Sequence, residues 1–222
     1  MRRHARRRLA AIGLAMLAVL GGAVPAAAST PDPILLVHGW RGHPSTWADM
    51  IANFAAQGRT AVAIDLAGED NVKNAAQIRD FIAAKGWKKV DIVGQSMGGL
   101  SARHYIKFLG PTVVDTYVSI GTPQYGLYTS CVLFASAGGQ MCPTRSFLRD
   151  LNAGDDTPGS VSWTTIYSTT DGVVPTVVSR LDGGACHIQV ARPGHNQLDN
   201  DPAVFAFVLG AVNRAACPGT IR

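Results

Sequence analysis

Val90-Asp91-Ile92-Val93-Gly94-Gln95-Ser96-Met97-Gly98-Gly99 is the stretch from which the architecture of this chain can be worked out. Its first four residues predict a short buried strand, and residues 100–109 predict a helix. Between them, Gly94-Gln95-Ser96-Met97-Gly98 is a G-x-S-x-G motif at a sharp strand-to-helix turn, the arrangement called a nucleophile elbow. Side chains at 94 or 98 would clash with the neighbouring strand and helix, so both positions need glycine. Such a turn holds the Ser96 hydroxyl clear of the backbone, where a histidine can reach it.

Outward from this stretch, segments that predict strands alternate with segments that predict helices. Strands are predicted at residues 34–37, 60–64, 90–93, 113–120, 161–167 and 185–191. Helices are predicted at 45–58, 73–85, 100–109 and 145–151, and from 201 onward. The strands are continuous apolar runs, which is typical of a parallel sheet covered on both faces. We therefore predict an α/β fold with a mostly parallel central sheet, helices on both faces and no large cap domain.

The first 28 residues have the pattern of a secretory signal peptide. Five arginines lie between positions 2 and 8, an apolar run follows over 9–24, and Pro25-Ala26-Ala27-Ala28-Ser29 offers a small-residue cleavage site. The apolar run is short for a membrane span. We predict cleavage after Ala28, secretion, and a single domain over residues 29–222 without a further membrane segment.

The net charge of +5 comes from the predicted leader. Once its five arginines are set aside, the remaining 15 of 20 lysines and arginines balance the 15 aspartates and glutamates. A neutral surface gives no reason to expect a nucleic-acid partner. We expect a monomer.

All four cysteines, Cys131, Cys142, Cys186 and Cys217, lie in the part predicted to be exported. An even number in a secreted chain indicates disulfides, and four cysteines allow three pairings. We favour Cys131–Cys142, which closes a short loop, and Cys186–Cys217, which would pin the end of the chain to a late strand. The spacings do not match a zinc site, and we predict no metal.

Ser96, Asp171 and His195 each follow a predicted strand. Functional groups collect beyond the carboxyl ends of the strands in an open parallel sheet. A serine hydroxyl is a poor nucleophile near neutral pH and needs a base, which in turn needs an orienting group. The chain order Ser, Asp, His is the one expected on such a sheet. We therefore predict Ser96 as nucleophile, His195 as base and Asp171 as the acid that orients it.

Other candidates for the base and the acid have ordinary explanations. Asp182 and Asp199 fit turn and cap positions, and Asp65 precedes the serine along the chain. The remaining histidines lie in the leader, beside the first strand, or inside a helix or strand: His4, His38, His43, His104 and His187.

A tetrahedral intermediate on Ser96 needs two N–H donors for its oxyanion. We predict that one is the backbone N–H of Met97 and the other that of Trp40, in the loop after the first strand. His38 and His43 are expected to shape that loop.

Four segments together resemble the small secreted bacterial lipases of the α/β-hydrolase superfamily. They resemble the minimal lidless type, typified by the Bacillus subtilis enzyme, and between residues 124 and 159 the secreted lipases of actinobacteria. The segments are Val37-His38-Gly39, residues 88–99, residues 164–171, and residues 179–183 leading to Gly194-His195. The resemblance implies a minimal α/β-hydrolase fold, and it assigns the same nucleophile, acid, base and oxyanion donors.

Two departures from that family are visible. Gln95 stands where the family often has histidine. Residues 124–159, with one cysteine pair, form a longer section than in the minimal enzyme, and this section could shield the cleft as a lid.

The sequence thus predicts a secreted serine esterase or lipase that needs no cofactor. Its substrates would be carboxylic esters, above all acylglycerols met at a lipid interface, and Ser96 would carry the acyl group. The alternatives are a carboxylesterase or polyester hydrolase for short-chain or polymeric esters, and, in a different class, a secreted binding protein without catalysis.

Overall fold

The computed structural model describes residues 31–110 and 112–218, which surround one central sheet. Its six strands are β1 (Ile34–Val37), β2 (Ala61–Ile64), β3 (Val90–Gln95), β4 (Val114–Ile120), β5 (Ser162–Ser168) and β6 (Cys186–Val190). They are hydrogen-bonded in the order β2-β1-β3-β4-β5-β6, and every neighbouring pair is parallel. The α/β fold class predicted from the sequence is confirmed. The predicted signal peptide, residues 1–28, lies outside the described residues.

Six helices connect or flank these strands. They are α1 (Ala48–Ala56), α2 (Asn71–Ala84), α3 (Met97–Phe108), α4 (Ser146–Leu151), α5 (Thr176–Ser179) and α6 (Pro202–Val212). Asp201 caps α6, because its side chain accepts hydrogen bonds from the N–H groups of Ala203 and Val204. No helix within the described ranges is long and apolar enough to cross a membrane.

Alternating side chains of the strands face two separate apolar layers. Leu35 and Val37 pack with Ile78 of α2 on one face. Ile34 and Leu36 pack on the opposite face, in the layer that contains α1 and α6. All four residues of β1 are fully buried. Successive side chains of a strand point to opposite faces, so continuous apolar runs are what a sheet covered on both sides requires.

Most predicted boundaries agree with the structure, but three helices differ. Helix α1 begins at Ala48, because residues Pro44–Trp47 form a separate 3-10 helix before it. Helix α3 begins at Met97, three residues before the predicted start. Its first turn contains Gly98, where an added Cβ would lie only 2.3 Å from the carbonyl oxygen of His38. This close approach explains why the first turn of α3 contains glycine, a residue of poor helix propensity. The short helix α5 was not predicted.

One buried ion pair lies at the amino end of β3. Arg59 Nη2 is 3.0 Å from Asp91 Oδ2, and both side chains are buried. Burial disfavours the ionised carboxylate and raises the pKa of Asp91 to about 6, although the charge of Arg59 opposes the shift.

Both cysteine pairs lie at disulfide distance. The sulfur atoms are 1.98 Å apart in Cys131–Cys142 and 2.01 Å apart in Cys186–Cys217. These are the two pairs favoured from the sequence. The second joins the start of β6 to the segment after α6, and the first closes a loop between β4 and α4.

Candidate active site

Ser96 occupies a strained turn between β3 and α3. Its φ is 52° and its ψ is −128°, a conformation rarely adopted by a residue with a side chain. The flanking glycines make this turn possible. An added Cβ at Gly94 would lie 2.6 Å from the Cα of Gly99, and one at Gly98 would lie 2.4 Å from the carbonyl oxygen of Val37. The backbone segments therefore approach too closely for any other residue at 94 or 98.

The structure brings Ser96, His195 and Asp171 into one hydrogen-bonded chain. His195 Nε2 lies 3.0 Å from Ser96 Oγ, and His195 Nδ1 lies 2.9 Å from Asp171 Oδ2. The carboxylate oxygen can only accept, so Nδ1 carries the proton and Nε2 is left to accept from the serine hydroxyl. All three side chains are buried. This arrangement allows His195 to remove the Ser96 proton.

Backbone N–H groups hold the Asp171 carboxylate in place. Its Oδ1 accepts from the N–H of Val173 at 2.9 Å and of Val174 at 2.6 Å. The N–H of His195 donates to the carbonyl oxygen of Asp171 at 2.9 Å. Asp171 and His195 are thus tied both through their side chains and through the backbone, which limits how far the imidazole can turn.

The competing acids and histidines have other surroundings. His187 pairs with Thr165 across two strands, at 3.2 Å. The N–H of Asp182 donates to the Tyr125 hydroxyl, in a turn away from the cleft. Asp199 is buried near His195, and this burial raises its pKa. The hydrogen bonds found for the His195 ring are to Ser96, Asp171 and Gln95.

The two residues predicted to supply the oxyanion donors, Met97 and Trp40, both lie near Ser96. Met97 is the first residue of α3, so its N–H has no partner within the helix. Trp40 follows Gly39, at which an added Cβ would lie 2.8 Å from the Cβ of Ser96. Trp40 and Ser96 line the same cleft. The helix dipole of α3 adds positive potential at this point.

Two further residues of the site had weak signals in the sequence. Gln95 Nε2 lies 3.4 Å from both Nε2 and the carbonyl oxygen of His195. Gly121 directly follows β4 with a φ of 54°, and an added Cβ there would lie 3.0 Å from Asp171 Oδ2. In the sequence, Gln95 was marked only by its departure from the family pattern, and Gly121 only by its place in the turn Gly121-Thr122-Pro123.

A cleft of about 600 Å³ opens above Ser96. It is lined by Trp40, Arg41, Gln95, Ser96, Leu127, Thr129, Ser130, Leu133, Met141, Val173, His195 and Asn196. Next to these lining residues, Tyr128, Val132 and Phe134 expose 76%, 88% and 83% of their surface. We call these three side chains the apolar rim. Large contiguous patches of exposed apolar surface are typical of interaction sites.

The wall that carries the apolar rim is fastened to the rest of the molecule. Trp40 Nε1 donates to the carbonyl oxygen of Ala137 at 3.1 Å, and Gln140 bridges to Asp70 and Asn71. The Cys131–Cys142 pair closes the loop itself.

Farther along residues 124–159, the buried Arg103 of α3 anchors the chain. Its guanidinium pairs with Asp156 at 2.6 Å and donates to the Asn152 side chain at 2.7 Å. Held at both ends by these contacts, this section forms one side of the cleft that Ser96 lines.

Within the described residues, no cluster of three or more histidines, cysteines and carboxylates is arranged to hold a metal ion.

Comparison with known proteins gives a consistent result. Residues 34–182 match the sequence profile of the alpha/beta hydrolase family. The chain is 30% identical over 152 residues to a triacylglycerol lipase of Burkholderia plantarii, covering 57% of this chain and 42% of that protein. It is 30% identical over 113 residues to a triacylglycerol lipase of Pseudarthrobacter phenanthrenivorans, covering 45% and 35%. The chain thus spans less than half the length of these relatives.

Solved structures resemble the whole described fold. The mature lipase of Bacillus licheniformis superposes with a TM-score of 0.68 at 19% identity, covering 86% of this chain and 96% of that one. Aspergillus fumigatus lipase B gives a TM-score of 0.69 at 21% identity, covering 88% and 56%. At these identities the likeness concerns the fold.

Proposed function

The chain belongs to the alpha/beta hydrolase family, and on that premise we propose that it hydrolyses carboxylic esters through an acyl-enzyme on Ser96. The observation that carries the proposal is the hydrogen-bonded chain from Ser96 Oγ through His195 to Asp171, at 3.0 and 2.9 Å, at the base of an open cleft. The triacylglycerol lipases among its relatives support the ester class.

In the first half-reaction, Ser96 Oγ attacks the ester carbonyl carbon while its proton moves to His195 Nε2. Asp171 stabilises the imidazolium through Nδ1–H. The carbonyl oxygen becomes an oxyanion, which the N–H groups of Met97 and Trp40 stabilise. His195 then donates the proton from Nε2 to the alkoxy oxygen, the C–O bond breaks, and the alcohol leaves.

In the second half-reaction, water replaces the alcohol. His195 Nε2 removes a proton from the water, whose oxygen attacks the carbonyl carbon of the acyl-enzyme. The oxyanion of this second tetrahedral intermediate accepts hydrogen bonds from the same N–H groups, those of Met97 and Trp40. When it collapses, the proton returns to Ser96 Oγ and the carboxylic acid is released. Every proton is thus moved by His195, and Ser96, His195 and Asp171 supply all the acid–base chemistry.

Acylglycerols at a lipid surface are the substrates that the surroundings of the cleft favour. Tyr128, Val132 and Phe134 expose large apolar surfaces beside it. Contact of these side chains with lipid would remove apolar area from water, worth about 25 cal/mol per Å² buried. A freely dissolved short-chain ester gains nothing from them.

Secretion as a single catalytic domain over residues 29–222, after removal of residues 1–28, belongs to the same proposal. Two cysteine pairs at disulfide distance support an oxidising compartment.

A fluorophosphonate probe tests the nucleophile directly. We expect one covalent adduct, located on Ser96 by peptide mass spectrometry, and no adduct on a folded Ser96→Ala variant. The same variant should lose ester hydrolysis. Adduct formation elsewhere, or turnover by Ser96→Ala, would refute the mechanism, and an inert but folded wild-type protein would favour the binding-protein alternative.

Rates on emulsified triacylglycerol and on a dissolved short-chain ester test the substrate class. We expect a Val132→Ser, Phe134→Ser double variant to lose activity on the emulsion and to keep it on the dissolved ester, which serves as the internal control. Equal activity of the double variant and wild type on the emulsion would contradict the role of the apolar rim and favour a carboxylesterase.

A further inference from the structure

The peptide unit between Gly39 and Trp40 links the oxyanion loop to a buried histidine. This unit contains both the carbonyl oxygen of Gly39 and the N–H of Trp40. It is a trans peptide, since the cis peptide bond found among the described residues is Arg192–Pro193. In a trans peptide the C=O and N–H bonds point in opposite directions. Whatever fixes the Gly39 oxygen therefore also fixes the direction of the Trp40 N–H.

Two donors hold the Gly39 oxygen. The N–H of Gly42 donates to it at 3.0 Å, and His38 Nδ1 lies 3.0 Å from it. On the other side of the imidazole, Nε2 lies 3.2 Å from the N–H of Leu66. A carbonyl can only accept and a backbone N–H can only donate, so His38 is neutral with its proton on Nδ1. The ring is buried, with 5% of its surface exposed.

The loop is shaped around this ring. An added Cβ at Gly42 would lie 2.9 Å from the Gly39 oxygen and 3.0 Å from His38 Nδ1. Arg41, between them, has a φ of 54°, and its N–H donates to Glu69 Oε1 at 3.0 Å. The turn is thus strained at one residue and held from two sides by the segment that follows β2.

We propose that His38 is a positioning residue that aims the Trp40 N–H at the oxyanion by holding the Gly39 carbonyl from Nδ1, while its Nε2 anchors the ring to Leu66. The inference rests on the proposed function, because it gives the orientation a purpose only if an oxyanion forms on Ser96. The His38 ring pairs with Gly39 and Leu66 and is not among the residues that line the cleft, so we assign its effect to the peptide unit.

Two substitutions separate the two contacts of the ring. In His38→Asn, the amide nitrogen can take the place of Nδ1 and donate to Gly39, but the side chain is too short to reach Leu66. In His38→Gln, the amide oxygen can take the place of Nε2 and accept from Leu66, but no donor faces Gly39. His38→Asn leaves the N–H of Leu66 without its acceptor, and His38→Gln removes one of the two donors to the Gly39 carbonyl, so both should unfold at a lower temperature than wild type.

The expected result is a difference in kcat between variants of similar stability. His38→Asn should keep kcat within about threefold of wild type. His38→Gln should lower kcat by about 10- to 100-fold at unchanged KM. This loss is smaller than the roughly 100- to 1000-fold expected when an oxyanion donor is removed, because the N–H of Gly42 still holds the Gly39 carbonyl. A phosphonate transition-state analogue should react more slowly with His38→Gln in the same proportion. His187→Gln is the control, since His187 lies in β6 and its ring faces Thr165, outside the oxyanion loop.

Each alternative outcome has a defined meaning. Equal kcat in His38→Asn and His38→Gln, or a His38→Gln variant with wild-type kcat, would overturn the inference and leave the proposed function standing. A change in KM alone would also overturn it. Absence of hydrolysis by wild type, or turnover by Ser96→Ala, would instead reject the proposed function and this inference with it.

Discussion

Replacing Gly121 by alanine should impair catalysis through the contact between Asp171 and His195. The added Cβ would lie 3.0 Å from Asp171 Oδ2, 3.3 Å from His195 Nδ1 and 2.7 Å from Cδ1 of Leu198. The leucine methyl group can rotate away. The carboxylate cannot move freely, because its other oxygen accepts two backbone N–H groups at 2.9 and 2.6 Å.

The magnitude follows from the size of the displacement. Ordinary Cβ contacts begin near 3.4 Å, so the carboxylate or the imidazole must shift by a few tenths of an ångström. A misplacement of about 1 Å in an active site can cost about 100-fold in rate, so we expect kcat to fall by about tenfold with little change in KM. The backbone adds a second cost: at a φ of 54°, alanine should destabilise the fold by about 1–2 kcal/mol.

Gly86→Ala separates these two effects. Gly86 has a φ of 66° and nothing within 4 Å of its added Cβ, so the variant carries a similar backbone cost without the contact. Ester hydrolysis and urea unfolding would be measured on both proteins. Similar losses of stability, with kcat reduced only in Gly121→Ala, are expected. If both variants hydrolyse esters at rates within twofold of each other, the Asp171–His195 pair tolerates the contact and the reasoning is wrong.

Three other predictions concern the acid, the buried ion pair and the cysteines. Asp171→Asn should lose up to about 10⁴-fold in kcat, because an amide no longer fixes the imidazole tautomer, whereas Asp182→Asn should stay near wild type; equal losses in kinetic assays would reject Asp171 as the acid. The pKa of Asp91 is raised to about 6 from 3.8, so the native state binds the carboxyl proton of Asp91 more tightly than the unfolded state does. The stability that the protonated carboxyl contributes is therefore lost as pH rises from about 4 to about 6. That loss is worth about 3 kcal/mol, and the wild-type protein should lose this much more than Asp91→Asn in urea unfolding over that range; a constant difference between the two proteins would contradict the shift. The secreted protein should show no reactive thiol when unfolded without reductant, and two or four thiols in a thiol-titration assay would disprove the pairing.

Local signals in the chain were sufficient for the architecture. Apolar runs such as residues 34–37 and 90–93 predicted parallel strands, and the structure confirms them. The need for glycine at 94 and 98 was predicted from steric crowding at the elbow. In the structure, an added Cβ at these positions would lie 2.6 Å and 2.3 Å from its nearest neighbouring atom. Both features depend on residues close together in the sequence, or on the two-residue repeat of a strand, so they can be deduced without knowing the packing.

Contacts between distant segments were harder to deduce. The three triad candidates could be chosen from strand ends and chain order, yet Ser96 and His195 are 99 residues apart and their 3.0 Å contact exists only in the folded sheet. Gln95 against His195 and Gly121 against Asp171 gave almost no signal. The start of α3 at Met97 was also missed, since Gly98 and Gly99 have poor helix propensity and gave no local helix signal.

The sequence alone thus determined the fold class, the strained turn at Ser96 and the set of candidate residues, because each follows from periodicity, steric limits and order along the chain. Only the tertiary structure decided that Asp171 and not Asp182 or Asp199 hydrogen-bonds the imidazole, that Tyr128, Val132 and Phe134 face solvent, and that His38 holds the Gly39 carbonyl. These depend on distances and directions between side chains from different loops, which are set by how the helices pack on the sheet rather than by any local preference of the chain.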